Sequence, residues 1–131
     1  MSKIRGSCLC KSVQFEAQSV KGPGSACHCV MCQKAHGAPF GAYVALDGFK
    51  WLSGEDMVTT YQSSEHCSRS FCSKCGATLQ FYDHRKPHHT SFSVSTLDGD
   101  HGATIGRHIY VDTRVDWYPI LDDLPQFSEN D

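Results

Sequence analysis

The spacing of the cysteines constrains this chain more than any other feature. Cys27-His28-Cys29-Val30-Met31-Cys32 sets three thiols within six residues, too close together to be three independent core cysteines. A short knuckle of this kind aims three sulfurs at one point, giving a tetrahedral Zn²⁺ three ligands and leaving one position over. A second knuckle, Cys72-Ser73-Lys74-Cys75-Gly76, has a glycine where the turn needs a positive φ and where backbone N–H groups can reach sulfur. Alone it lacks two ligands. Cys8 and Cys10, the latter 62 residues before Cys72, supply a matching pair and would complete a closed four-cysteine site. Spacing leaves a second arrangement open, in which CHCVMC joins Cys72 or Cys75. A closed zinc site of this type contributes on the order of 10 kcal/mol of coupled binding and folding free energy.

Eight cysteines in a short secreted chain would read as four disulfides, but the start MSKIRGSC is polar and carries no secretory signal, and the C-x-C, C-x-C-x-x-C and C-x-x-C spacings suit metal in a reducing compartment. The expected location is the cytosol. No apolar run approaches the roughly 20 residues that span a bilayer, so no membrane partner is expected. The formal charge is -2 with thiols neutral, and seven thiolates around two Zn²⁺ would take it to about -5. That balance argues against unspecific nucleic-acid binding, and no nucleic-acid partner is expected.

The length, 131 residues, fits one domain over 1–131. Val13, Phe15 and Ala17 alternate with polar residues, so 4–18 reads as strand, tight turn and strand, with Cys8 and Cys10 near the hairpin tip. Residues 21–25, KGPGS, read as a loop. One helical turn is expected at QKAH after Cys32, stopped by Gly37 and Pro39. Strands are expected at 41–46, 58–63, 68–71, 78–82, 90–95 and 107–111. No stretch sustains a 3.6-residue apolar period, so the fold class is mainly β, with small zinc-stapled sheets and long loops. Trp117, Tyr118, Ile120, Leu121, Leu124, Pro125 and Phe127 read as C-terminal core packing, with Asp122 and Asp123 on its wet side; SEND reads as a frayed tail.

With both knuckles in view, the sequence resembles the glutathione-dependent formaldehyde-activating enzyme family, whose relatives include centromere protein V. The matching stretches are GSCLCKSVQFEA at 6–17, CHCVMCQKAHGAPF at 27–40, RSFCSKCGATLQF at 69–81, STLDGD from 95 and RHIYVDTRVDWYPILDDLPQF ending at 127. The resemblance implies a structural zinc held by Cys8, Cys10, Cys72 and Cys75 and a second, exchangeable zinc held by Cys27, Cys29 and Cys32. It also implies carbon–sulfur lyase chemistry, typified by joining formaldehyde to glutathione as S-hydroxymethylglutathione. One departure is local: the family often has Gly after the first C-x-C, where this chain has Lys11. The alternative is a non-catalytic zinc module that binds another protein, as the chaperone-like relatives of the fold suggest.

Three thiolates around Zn²⁺ carry a net charge of -1, and a thiol entering the open position can lose its proton there and attack a small carbonyl. That negative charge dampens the metal, so neighbouring donors must offset it. His28 and His36 are the candidate proton carriers, with support of the fold as the plainer role for each. Lys34, Arg69 and Lys74 are candidate anchors for the carboxylates of a glutathione-like thiol, against the simpler reading of solvated charges. Cys67 fits neither knuckle and reads as a small buried hydrophobe. His84, His88 and His89 read as an exposed loop tip, because Pro87 breaks any helical i, i+4 metal arrangement.

Overall fold

The computed structural model describes residues 3–130. Its first hairpin is the one the alternation predicts: β1 (Ile4–Ser7) and β2 (Gln14–Ala17) pair antiparallel with Gly6 opposite Phe15. A side chain at Gly6 would run into the Phe15 ring, so the glycine lets an aromatic lie flat on bare backbone. Cys8 and Cys10 occupy the connection. Lys11 closes it at φ 65, the left-handed conformation that glycine adopts without penalty.

The other strands are β3 (Ser19–Cys27), β4 (Gly41–Asp47), β5 (Lys50–Ser53), β6 (Val58–Gln62), β7 (Cys67–Cys72), β8 (Thr78–Asp83), β9 (Ser91–Ser93), β10 (Leu97–Asp98) and β11 (Ile105–Ile109). Among the described residues they form a four-stranded sheet in the order β10-β1-β2-β5 and a seven-stranded sheet in the order β11-β3-β4-β9-β8-β7-β6. The class is mainly β, as the sequence indicates. Phe15, Ala17 and Leu97 from the smaller sheet meet Val44, Leu46, Leu79 and Phe92 from the larger one in a shared core. Phe15 stacks on Phe92 at 4.2 Å between ring centroids, and Trp51 and Phe49 close around the pair.

Side chains alternate across a strand, so the larger sheet has a second face. Val44 and Leu46 of β4 enter the core, whereas Tyr43 joins Cys27, Cys32 and Ile109 in a separate buried cluster. On β7, Ser68, Ser70 and Cys72 are buried, while Cys67 and Arg69 line a cavity together with Tyr43. This division places the two cysteine groups in different surroundings.

Two expectations are corrected. Residues 21–25 do not form a loop; they lie inside β3, whose pairing with β4 slips between Lys21 and Ser25. Gly22 absorbs the irregularity at φ 63, and Gly24 lies so close to the Tyr43 carbonyl that a Cβ would collide with it. The C-terminal segment is not core packing either. Trp117 and Leu121 are 66% and 88% exposed, because the segment runs as a strap along the sheet rather than under it. It is tied down by backbone bonds from His108 N–H to Pro125 and from Phe127 N–H to His108. Phe127 alone of that aromatic run packs against the Cys27–Cys32 cluster.

Candidate functional site

The Sγ atoms of Cys8, Cys10, Cys72 and Cys75 all lie within 4.8 Å of one another. A tetrahedron with Zn–S bonds of about 2.3 Å has S···S edges of about 3.8 Å; here Cys8 and Cys10 are 3.6 Å apart and Cys10 and Cys72 are 3.9 Å apart. The residues present therefore fit a closed four-sulfur zinc site. Both turns that carry them end alike. Lys11 N–H donates to the Cys8 carbonyl at 3.1 Å and Gly76 N–H to the Cys72 carbonyl at 2.8 Å, with Lys11 at φ 65 and Gly76 at φ 79. Cys8 Sγ also accepts the Val13 N–H.

Cys27, Cys29 and Cys32 form the second group, again with every Sγ within 4.8 Å of the others. The helix α1 (Val30–His36) begins inside the knuckle, earlier than the turn expected at QKAH. Cys29 is its N-cap, taking the Cys32 N–H on Sγ at 3.3 Å, and Gly37 ends it at φ 60. Three converging sulfurs, with no fourth His, Cys, Asp or Glu ligand atom grouped with them among the described residues, fit a tetrahedral ion with one position to spare. All eight cysteines are free thiols. As sulfurs alone the three share charge unequally: S–H donation from Cys27 and Cys32 holds Cys29 well below the ordinary thiol range, and contacts with Cys29 and then Cys32 push Cys27 far up.

A cavity of about 860 Å³ opens on all three sulfurs. Tyr43, Phe81, Ile109 and Tyr110 supply apolar wall. The charges are lopsided: of the chain's 12 Lys and Arg, five line the cavity (Lys21, Arg69, Arg85, Lys86 and Arg107), against Asp83 as the one lining carboxylate among the described residues. Arg69 is the buried member, 7% exposed. Its Nη1 donates to Tyr43 Oη at 2.9 Å, Nη2 points at Cys32 Sγ at 3.5 Å, and the guanidinium lies 5.0 Å over the Phe81 ring.

The sequence of this chain matches the glutathione-dependent formaldehyde-activating enzyme family over residues 3–113. The chain belongs to this family. Among its relatives, an uncharacterized lyase of Schizosaccharomyces pombe is 27% identical over 128 residues, covering 98% of this chain and 93% of that protein. A Halomonas elongata protein, provisionally named a glutathione-dependent formaldehyde-activating enzyme, is 29% identical over 133 residues, covering 89% of this chain and 80% of its own. A crystal structure of a Rhodobacter sphaeroides protein shares the fold, with a TM-score of 0.62 at 22% identity, over 93% of this chain and 98% of that one.

Within this family member the other expected residues fall in varied places. His28 is 2% exposed and is not among the cavity-lining residues. Its Nε2 lies 2.8 Å from His108 Nδ1, and His108 Nε2 lies 3.0 Å from the Asp122 carboxylate. With both rings neutral, Asp122 takes the His108 Nε2–H, His108 Nδ1 becomes the acceptor and His28 Nε2–H the donor. Burial, then the neighbouring His108, holds the His28 pKa below the usual histidine value. His28 thus sits at the buried end of a His–His–Asp brace whose carboxylate reaches the surface. Its main chain is fixed as well, with N–H bonded to Ile109 and the carbonyl taking Gln33 Nε2 and Thr113 Oγ1.

His36 Nε2 lies 2.7 Å from Tyr43 Oη, and burial, reinforced by the Arg69 charge, pushes its pKa down to about 4. Lys34 and Lys74 are exposed and do not line the cavity; Arg69 does. Asp122 is bonded to His108 rather than only solvated. Cys67 is half-buried and lines the cavity instead of the core. His84, His88 and His89 are exposed, with His84 Nε2 at 2.6 Å from Ser68 Oγ. The cations at Lys21, Arg85, Lys86 and Arg107 escaped the sequence reading because they come from three separated stretches. Arg107 alone carried a signal, standing first in the RHIYVD motif. No helix among the described residues is long and apolar enough to cross a membrane.

Proposed function

We propose that this chain is a zinc-dependent carbon–sulfur lyase that joins a small anionic thiol, such as glutathione, to an aldehyde such as formaldehyde, and reverses the reaction. The observation that carries the reading is the cavity itself, in which, among the described residues, three converging sulfurs share one space with five cations and a single carboxylate. A thiol bearing carboxylates fits that balance; a cationic or apolar guest does not. The family match and the names of the two relatives support the same chemistry.

In this reading Cys8, Cys10, Cys72 and Cys75 hold a structural zinc, and Cys27, Cys29 and Cys32 hold the working one. Bound there, zinc would favour the thiolate form of the guest and fix its sulfur. The chain's own residues do the rest. Lys86 and Arg107 draw the carboxylates, joined by Lys21 and Arg85 beyond their own pairs with Asp47 and Asp83, and Phe81 with Tyr43 walls the sulfur from bulk water. The sulfur lone pair adds to the carbonyl carbon, the C=O π pair moves to oxygen, and that oxygen takes up the proton the thiol gave away, so RSH and CH₂O become RS–CH₂OH. His28 enters as a brace for the knuckle, through His108 and Asp122.

The test is exchange NMR on zinc-loaded protein mixed with glutathione and formaldehyde. Acceleration over the protein-free reaction is expected, weaker for a neutral thiol such as 2-mercaptoethanol. Equal rates with and without protein, for every thiol tried, would remove the enzyme reading.

A further inference from the structure

Arg69 presents an unusual balance of charge. A guanidinium taken out of water is strongly unfavourable unless paired, and among the described residues no carboxylate pairs with it. Its contacts are Tyr43 Oη, Cys32 Sγ and the Phe81 face. Its counter-charge is therefore the sulfur triplet.

The remaining atoms narrow this further. Arginine can only donate, so Tyr43 Oη accepts from Nη1, and the tyrosine's own O–H is left to donate to His36 Nε2 at 2.7 Å. The ordered run His36, Tyr43, Arg69, Cys32 locks the guanidinium in one orientation. Gly41, beside the His36 ring, leaves no room for a side chain there, so the far end is held too. Nη1 and Nη2 are thereby assigned. Nε is buried and meets no acceptor among the described residues, although the residue borders the cavity.

Three thiolates and one Zn²⁺ sum to -1, and the adjacent guanidinium cancels that charge. A sulfur anion entering the fourth position then meets a neutral cluster instead of a negative one, and the unassigned Nε–H is available to an acceptor on the guest. We infer that Arg69 is a positioning residue that sets the class of guest, selecting thiolates over neutral donors at the triplet. The inference rests on the zinc reading above and extends it to a residue outside the ligand set.

The experiment uses Co²⁺-loaded protein, whose thiolate-to-metal absorption reports binding without any turnover. Wild type, Arg69→Met and Arg69→Lys are titrated with glutathione as the anionic probe and imidazole as the neutral one. In Arg69→Met the glutathione affinity should fall on the order of 100-fold, as for one uncancelled charge a few ångströms away in an effective dielectric of about 20. Imidazole affinity should change less than about threefold, and Arg69→Lys should recover most of the glutathione loss. Arg69→Gln replaces the methionine variant if that one does not fold. Equal losses for both probes, unchanged glutathione binding, or loss of the metal itself would overturn the inference, since a merely structural arginine explains each. Selective thiolate binding without accelerated adduct formation would sink the lyase reading and leave Arg69's role standing. Accelerated chemistry with an unchanged probe ratio in Arg69→Met would do the reverse.

Discussion

Lys11 and Gly76 form a mirrored pair on which the account of the four-sulfur site can be tested. Each follows the second cysteine of its turn, each has a positive φ, and each donates its N–H to the carbonyl of the first cysteine. A side chain in the left-handed region costs about 1–2 kcal/mol relative to glycine, while glycine loses about 0.5–1 kcal/mol more chain entropy on folding. Lys11→Gly should therefore stabilise the protein by about 0.5–1 kcal/mol. Unfolding entropy of about 2.1 cal/mol/K per residue over 131 residues converts this into a rise of about 2–4 °C in Tm. Gly76→Ala should lower Tm by a similar amount, because nothing lies within 4 Å of the added Cβ and only the backbone penalty remains. The assay is thermal unfolding of the zinc-loaded protein by circular dichroism, with chelator-driven release of the tighter zinc as a second readout. A fall in Tm for Lys11→Gly, or a rise for Gly76→Ala, would refute the argument that these two turns are equivalent halves of one staple.

The two cysteine groups should respond differently to loss of a ligand. Cys72→Ser should unfold or aggregate the protein, since Cys72 is fully buried in the core, whereas Cys29→Ser should stay folded and hold one zinc instead of two by metal counting. His108→Phe should cost about 1–3 kcal/mol in denaturant unfolding, because it strands the buried His28 Nε2–H without an acceptor. The Glu16 carboxylate is held below its ordinary value of 4.5 first by the Lys3 hydrogen bond and then by the charges of Lys3, Lys50 and Arg5. A depressed carboxylate stabilises the fold above its unfolded pKa, and that contribution disappears as pH drops through the lower folded value. Glu16→Gln should accordingly flatten the acid side of the stability profile below about pH 4.5 while leaving the neutral side's slope unchanged.

Much of this molecule is legible in its sequence, and the limits have physical causes. The cysteines of each knuckle are readable because ligand spacing is local, whereas the pairing of Cys8 and Cys10 with Cys72 and Cys75 rests on the family resemblance, since spacing alone leaves CHCVMC free to join Cys72 or Cys75. The hairpin was readable because Val13, Phe15 and Ala17 alternate over a buried face. Residues 21–25 misled because Gly and Pro signal a turn and a strand irregularity alike, and only the close approach of Gly24 to β4 distinguishes them. Trp117 and Leu121 misled because hydrophobicity says that a residue prefers shelter, not that a layer exists above it. The role of Arg69 was hidden for another reason: the residues that define its surroundings are 26 and 37 positions away, and sequence separation alone carries no sign of a shared wall.

The two-faced sheet has a consequence for how such a protein diversifies. Ala45, Phe81 and Ser91 border the cavity, while Leu46, Leu79 and Phe92 on the same strands belong to the core. Neighbouring positions along one strand thus answer to different demands, and the wall facing the guest can be rewritten one residue at a time with its reverse side untouched. A collection of descendants could keep one architecture and divide many small sulfur compounds among themselves.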